Sequence, residues 1–253
     1  MVIRVYLSVT SHNDDEIIIK NFSTIPKFLG SYEIIISVID NTSSENLKAK
    51  SEQLGFRYYS DGKTRGYGAN NNKNFKILEV KEKDIFIVCN PDISINVENF
   101  DRLLDSVIES NADIYGVKVY ESYDLKTWSS HNRSFPALFD PIISLIFKKK
   151  LFENDVDTYA NPDWIGGAYM IFKSESYSKL KGFDEEFFMY YEDTDICYRA
   201  KKLGMTTIYD PNYFIIHEAR RAGRKLFSKS FFMNFKSMLT YFRKHPTFKL
   251  ISV

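Results

Sequence analysis

Cysteine is scarce in this sequence. Cys89 and Cys197 are its only two, too few for a disulfide framework and suited to a reducing cytosol. No stretch reaches the roughly 18 to 20 consecutive apolar residues that span a bilayer. The nearest, residues 135–147, is broken by Asp140 and Pro141. The apolar stretch at the N-terminus is short and soon meets Ser11-His12-Asn13-Asp14, so it reads as a strand and not as a signal peptide. Internal repeats and low-complexity segments are absent too, which excludes a repeat architecture. Negative charge vanishes at one end: beyond Glu218 there is no Asp or Glu. Nine of the 34 Lys and Arg residues lie in that tail and all 33 acids precede it, so residues 1–218 are net negative by about eight. A tail of that kind faces something anionic or is free to. The rest is ordinary for a soluble globular protein, 44% hydrophobic and 26% charged over 253 residues, enough for one large domain or a domain with an appendage.

Apolar strands alternate with helices through the first 120 residues. Residues 3–9 read as a strand, 14–28 as a helix, and 33–39 as a strand ending at Asp40-Asn41. A capped helix opens at Ser43-Ser44 and ends near Gly55, a short strand covers 56–60, and Gly66-Tyr67-Gly68 opens a helix to about Val80. The strand 84–89, fully apolar from Ile85 on, meets Asn90-Pro91-Asp92-Ile93. A helix over 96–110 and a strand over 112–120 follow. This pattern predicts βαβ units and a mostly parallel sheet covered on both faces. Ligands bind such sheets beyond the carboxyl ends of the strands, where Asp40-Asn41 and Asn90-Pro91-Asp92 both fall. Asn, Pro and Asp are also ordinary turn residues.

The second half is less regular. Residues 121–162, with Trp128, His131 and Arg133, form a long excursion. Residues 164–172 read as an extended segment whose Gly166 and Gly167 permit close backbone approach. A short helix over 174–180 precedes the densest signal, GFDEEFFMYYEDTDICYRAKKLG, and the apolar strand 213–216 ends at His217.

The set VIDNTSS, GYGANNN, NPDI, WIGGAYMIF, GFDEEFFMYYEDTDICYR and His217, in this order, resembles the family 2 glycosyltransferases with the GT-A fold. The resemblance is to the rhamnosyltransferase-like branch that builds bacterial O-antigen and other surface polysaccharides, and it covers about residues 3–218. It implies an α/β fold with a Rossmann-like, mostly parallel sheet flanked by helices. Residues 1–218 would be the glycosyltransferase domain, with 1–120 the nucleotide-binding half and 121–218 the acceptor and catalytic half. Residues 219–253 would be a basic amphipathic helical extension.

The implied reaction is inverting transfer of rhamnose or another hexose from a dTDP- or UDP-linked donor to a polyprenyl-diphosphate-linked or growing polysaccharide acceptor. Negative charge builds on the departing diphosphate, and a divalent Mn or Mg ion stabilises it. The family's Asp-x-Asp at this strand end is Asn90-Pro91-Asp92 here, so only Asp92 matches as a metal carboxylate, while Asn90 is left for ribose or a metal-bound water. His217 would complete the metal site, mixed imidazole and carboxylate ligation suiting Mn²⁺. One general base must take the acceptor hydroxyl's proton. The resemblance assigns it to Asp193, with Glu192 positioning it or touching the sugar. Acids are also favoured in any first helical turn, and Asp195 with Arg199 at i+4 reads as a structural ion pair. Asp40 would accept from the nucleotide base with Asn41 beside it in the nucleotide pocket, or else the two would cap a helix. Thr10 would line the same pocket, joined by Ser8 and His12. Gly68 and Asn71, with Asn70, would approach sugar or phosphate, or simply turn the chain into a helix. Trp164, Gly166 and Gly167 would line the acceptor side.

Two other classes compete. A sugar-phosphate nucleotidyltransferase would show a Gly-rich basic signature near the N-terminus, which residues 5–13 lack. A nucleic-acid-binding protein using the basic tail would leave the acidic body and its carboxylate motifs unexplained, so no nucleic acid is expected as a partner. In the tail, a helix over 227–243 would gather Phe227, Phe231, Phe235, Met238 and Phe242 on one face with Lys229, Lys236 and Arg243 on a flank. That face either lies on an anionic membrane surface or packs on the catalytic domain or on a second subunit in a homodimer. The expected location is cytoplasmic, peripheral on the inner face of the cell membrane if the helix binds lipid.

Overall fold

The computed structural model describes residues 2–129, 131–138, 140, 143, 157–218 and 229–246. Phe227 and most of the tail's arginines lie outside the described residues.

The first strand, β1 (Ile3–Ser11), runs parallel to β3 (Tyr32–Asp40) with Ser11 opposite Asp40. Its other edge carries β5 (Ile85–Cys89), also parallel. Helices cover both faces, so the strands need apolar residues on both sides, and every residue of β5 is buried. The helices here are α1 (Asp15–Phe22), α2 (Glu45–Leu54), α3 (Tyr67–Ile77) and α4 (Phe100–Ser110).

Boundaries depart from the sequence pattern for local reasons. The helix expected to reach residue 28 stops at Phe22, because Pro26 disfavours helical backbone before it. The chain then forms β2 (Phe28–Leu29), antiparallel to β3. α2 is capped by Ser44, whose Oγ accepts from Leu47 N at 3.2 Å, and it ends at Gly55 in the left-handed region, φ 74°. The helix expected from residue 96 begins as one 3₁₀ turn, Val97–Asn99, before α4.

The second half extends the same sheet. Its members are β6 (Ile93–Ile95), β7 (Ile114–Tyr120), β9 (Tyr169–Lys173) and β10 (Thr207–His217), and the order is β2-β3-β1-β5-β9-β7-β10-β6. β4 (Arg57–Tyr59) flanks β3, and β8 (Trp128–Ser129) flanks β7. Parallel pairing dominates by length, through β1–β3, β1–β5 and β7–β10. β9 is inserted antiparallel to both β5 and β7, so one sheet runs unbroken across residue 120. β10 is longer than the apolar run 213–216 suggests, because it absorbs Pro211 at an irregularity between Asp210 and Phe214.

Two helices follow β9, α5 (Ser174–Lys179) and α6 (Glu192–Lys202), and the C-terminal helix is α7 (Lys229–Lys244). The apolar face expected of α7 is divided. Met238, Tyr241 and Phe242 are buried against Phe187, Tyr191 and Tyr198, whereas Phe235 points outward with Phe232 and Leu239. The buried arc is centred near Tyr241, and the 100° step between successive residues carries Phe235 out of it. Among the described residues, no helix is long and apolar enough to cross a membrane.

Candidate active site

The strand end that opens the site is built from backbone upward. Asn90 N–H donates to Ala168 O at 2.9 Å, tying the turn to the segment before β9. Asn21, buried on α1, donates to Pro91 O at 3.2 Å and accepts from Ser94 Oγ at 3.1 Å, gripping the turn from both sides. Nothing in the sequence marked Asn21. β6 then pairs antiparallel with β10, Ile93 opposite His217. That register brings Asp92 Oδ1 to 3.1 Å from His217 Nε2.

This pair fits a divalent cation. A hard carboxylate and an imidazole face the same cavity, each side chain 17% exposed. No group of three or more His, Cys, Asp or Glu gathers among the described residues. Two protein ligands with the remaining positions left to phosphate oxygens and water are the donor set of a nucleotide-bound Mg²⁺ or Mn²⁺ site.

The opposite wall is the start of α6. Tyr190 and Tyr191 both sit in the left-handed region, φ 70° and 65°, a conformation bulky residues rarely adopt and that costs roughly 1–2 kcal/mol each. They redirect the chain so that Glu192 and Asp193 open the helix toward the cavity. Asp193 Oδ2 accepts from Gly167 N at 2.7 Å and Oδ1 from Thr194 N at 2.7 Å. Tyr67 OH donates to Gly167 O at 2.8 Å, steadying that donor. Gly167 allows the approach, since a Cβ there would lie 3.0 Å from the Cβ of Asp193. Arg133, stacked 4.7 Å over the Trp164 ring, lines the same cavity.

Electrostatics separate the two acids. Burial pushes the Asp193 carboxyl above its usual range, opposed by the charge of Arg133 and by the Gly167 and Thr194 N–H groups. Burial, and then the charge of Asp193, push Glu192 higher. Glu192 Oε2 is buried without a hydrogen-bond partner, and the carboxyl's pKa is pushed up to about 8. Asp195 has a structural place: it holds Arg199 Nε at 2.7 Å and His245 Nε2 at 2.8 Å.

Asn90, Asp92, Arg133, Asp193, His217 and Asn234 therefore share one cavity of about 700 Å³, which Trp164 and Gly167 also line. Asn234 comes from α7, which the sequence motifs did not connect to the site. Trp164 is 6% exposed and gives its indole N–H to Ser134 O at 2.9 Å. Gly166 makes room for the buried His131 ring, 3.1 Å from where a Cβ would stand. Burial pushes the His131 imidazole well below its usual value, so it is neutral.

The residues expected on the nucleotide divide into two groups. Asp40 is 2% exposed, and its carboxylate already accepts four hydrogen bonds, from Thr42 N, Thr42 Oγ1, Ser44 N and Tyr58 OH. Burial raises its pKa, but those donors more than offset it and hold it below the usual range. Asp40 organises the turn into α2. Asn41 clamps both main-chain groups of Arg65 and accepts from Asn70. Asn71 is fully buried, accepts from Ser8 Oγ at 2.7 Å and donates to Tyr67 O at 3.0 Å. Gly68 makes room for Phe183, whose Cβ would lie 2.7 Å from an added Cβ. Thr10 Oγ1 and Asn70 Oδ1, in contrast, are buried with no hydrogen-bond partner.

The chain is similar to several known proteins. A family model, Glycosyl transferase family 2, matches residues 8–181. The chain is 30% identical over 249 residues to Rhamnosyltransferase WbbL of Escherichia coli (strain K12), covering 94% of this chain and 92% of that protein. It is 25% identical over 228 residues to N-acetylglucosaminyl-diphospho-decaprenol L-rhamnosyltransferase of Mycobacterium tuberculosis (strain ATCC 25618 / H37Rv), covering 79% of this chain and 74% of that one. Among solved structures, it resembles mannosyltransferase PcManGT from Pyrobaculum calidifontis in complex with GDP-Man and Mn²⁺, with TM-score 0.58 and 12% identity over 87% of this chain and 58% of that one. GalNAc-T7 with UDP, GalNAc and Mn²⁺ aligns with TM-score 0.64 and 12% identity, covering 94% of this chain and 48% of that one. This chain thus spans about half to three-fifths of the length of those two enzymes, and the likeness shows the GT-A fold. With the family match over residues 8–181 and the rhamnosyltransferase relative along nearly its whole length, the chain belongs to glycosyl transferase family 2 and is a glycosyltransferase.

Proposed function

We propose that this protein is an inverting, divalent-metal-dependent glycosyltransferase that moves rhamnose, or another hexose, from a dTDP- or UDP-linked donor to a polyprenyl-diphosphate-linked or growing surface-polysaccharide acceptor. It would work peripherally at the cytoplasmic face of the membrane. One observation carries the reading: Asp92 and His217 meet at 3.1 Å at the carboxyl end of the sheet, and Asp193 faces them across the same cavity. The relatives named as rhamnosyltransferases support the sugar, and the decaprenol in one of those names supports a lipid-carried acceptor.

Asp92 and His217 would hold Mn²⁺ or Mg²⁺, which supplies neutralisation of the charge growing on the departing diphosphate. Asp193 takes the proton of the acceptor hydroxyl as that oxygen bonds to the anomeric carbon and the carbon–oxygen bond to the diphosphate breaks. The Gly167 N–H fixes the orientation of the carboxylate, and the charge of Arg133 favours its ionised form against its burial. Glu192, protonated by its surroundings, is a hydrogen-bond donor for the donor sugar.

The test is a donor screen scored by released nucleoside diphosphate, with and without chelator. Release from a dTDP- or UDP-hexose that chelator abolishes is the expected result. Release untouched by chelator would refute the metal's part.

A further inference from the structure

We infer that the outward stripe of α7, Phe232, Phe235 and Leu239 flanked by Lys229 and Lys236, is a docking surface for an anionic phospholipid bilayer. The stripe is not needed to hold the helix in place. α7 is seated by Met238, Tyr241 and Phe242, by Ser237 Oγ donating to Met189 O at 2.8 Å, and by Lys244 Nζ with Glu186 at 2.7 Å. Just beyond its end, His245 adds its 2.8 Å contact with Asp195. On the other side Phe232, Phe235 and Leu239 are 58%, 46% and 52% exposed at i, i+3 and i+7. Such residues form one continuous stripe on a helix.

The occupant follows from charge. α7 contains no Asp or Glu, and Lys229 and Lys236 are exposed beside the stripe. A second copy docking across a two-fold axis would present the same surface, setting lysines against lysines with no acid on either helix. A bilayer of anionic lipid offers both partners at once, acyl chains for the rings and headgroups for the cations. At 16 residues, with lysines and polar residues between its apolar ones, α7 lies along an interface and does not cross it.

Position gives the surface its use. Asn234 of this helix lines the cavity that holds Asp193. The stripe therefore stands about one helix diameter, roughly 10 Å, from the site, within reach of an acceptor anchored in the same bilayer. That use rests on the transfer reading above, whereas the binding itself does not.

Flotation of the full chain with vesicles tests it. Vesicles of phosphatidylcholine with about a third phosphatidylglycerol should capture the protein, and pure phosphatidylcholine should capture far less. Each lysine near anionic lipid is worth about fivefold in partitioning, so Lys229→Gln with Lys236→Gln should weaken capture by roughly 25-fold. Phe232→Ser, Phe235→Ser and Leu239→Ser together should abolish capture without changing Tm, because these side chains lie outside the helix's own packing. Equal recovery on neutral vesicles, or stripe variants that float like the parent, would overturn the proposal. So would a concentration-dependent dimer that the triple variant dissolves, seen in a protein that does not float. Calorimetry with dTDP and with UDP in the presence of Mn²⁺ on the same samples separates the two readings. A parent chain that binds nucleotide yet does not float defeats the surface alone, and one that floats without binding nucleotide defeats the transfer reading alone.

Discussion

The main-chain N–H of Gly167 and the Oδ2 of Asp193 are joined at 2.7 Å, across the gap between the segment leading into β9 and the first turn of α6. This bond points the carboxylate and favours its ionised form, in a place where burial favours the neutral one. A base built this way acts only while both influences hold. Asp193→Asn keeps the shape and loses the proton acceptor. Turnover should fall roughly 10²- to 10⁴-fold, with nucleoside diphosphate affinity by calorimetry near wild type. A variant retaining more than about a tenth of the rate would remove Asp193 from the role.

Arg133 tunes that base, and the sign can be worked out. Its positive charge lowers the Asp193 pKa, so removing it raises a value that burial has already lifted. For Arg133→Gln, the acid limb of the pH–rate profile should move to higher pH, with Arg133→Lys in between. An unmoved limb would leave Arg133 as a packing partner of Trp164.

Asp92→Ala and His217→Ala should each weaken Mn²⁺-dependent nucleoside diphosphate binding, as the two side chains converge on one point from the turn before β6 and from the end of β10. Binding unchanged in both, with and without EDTA, would reduce the strand end to a turn.

Glu192 makes a separate claim on stability. Its folded pKa is raised above the unfolded value. Its favourable contribution is therefore present at low pH and is lost as pH rises through the folded pKa. Glu192→Gln lacks that loss. Its Tm should exceed that of the parent increasingly toward pH 9, by about 2–4 °C for each kcal/mol, and should converge with it near pH 5. Parallel Tm curves across that range would show that the carboxyl is not retained in its neutral form.

Asn71→Ala distinguishes scaffold from ligand. It takes the acceptor from the buried Ser8 O–H, which still accepts from Asn74, at a cost of about 1–3 kcal/mol. Thermal stability should drop accordingly while nucleotide affinity persists in the folded protein. Lost affinity at unchanged Tm would return Asn71 to the nucleotide.

These tests fall where the sequence could and could not be read. Strand tips were legible because long apolar runs mark the sheet and ligands gather at its carboxyl edge, which put Asp40 and Asp92 forward, whereas His217 came from the family resemblance. Asp195 and Arg199 were legible from their spacing of four. The run Asn70-Asn71-Asn72-Lys73-Asn74 was not. Hydrophobic periodicity counts amides as surface, yet Asn70, Asn71 and Asn74 are fully buried, with Asn74 bonded to Ser8 and Ser37 of the sheet beneath. Asn21 escaped for the same reason. The face of α7 was misjudged because its phenylalanines were counted and Tyr241 was not. Antiparallel β9 was beyond reach, since an apolar extended segment carries no sign of its direction.

That strand also governs the order of assembly. β1, β3 and β5 come from one continuous early stretch of chain and can pair as they emerge from the ribosome, but the free edge of β5 stays open until residues 169–173 arrive to fill it. Until then the nascent chain carries an apolar edge that any other strand can join, which is the usual route to aggregation. Closing it late is a long-range, slow step. A fragment ending near residue 120 would keep that edge for good, which makes the halves of this sheet two parts of a single folding event.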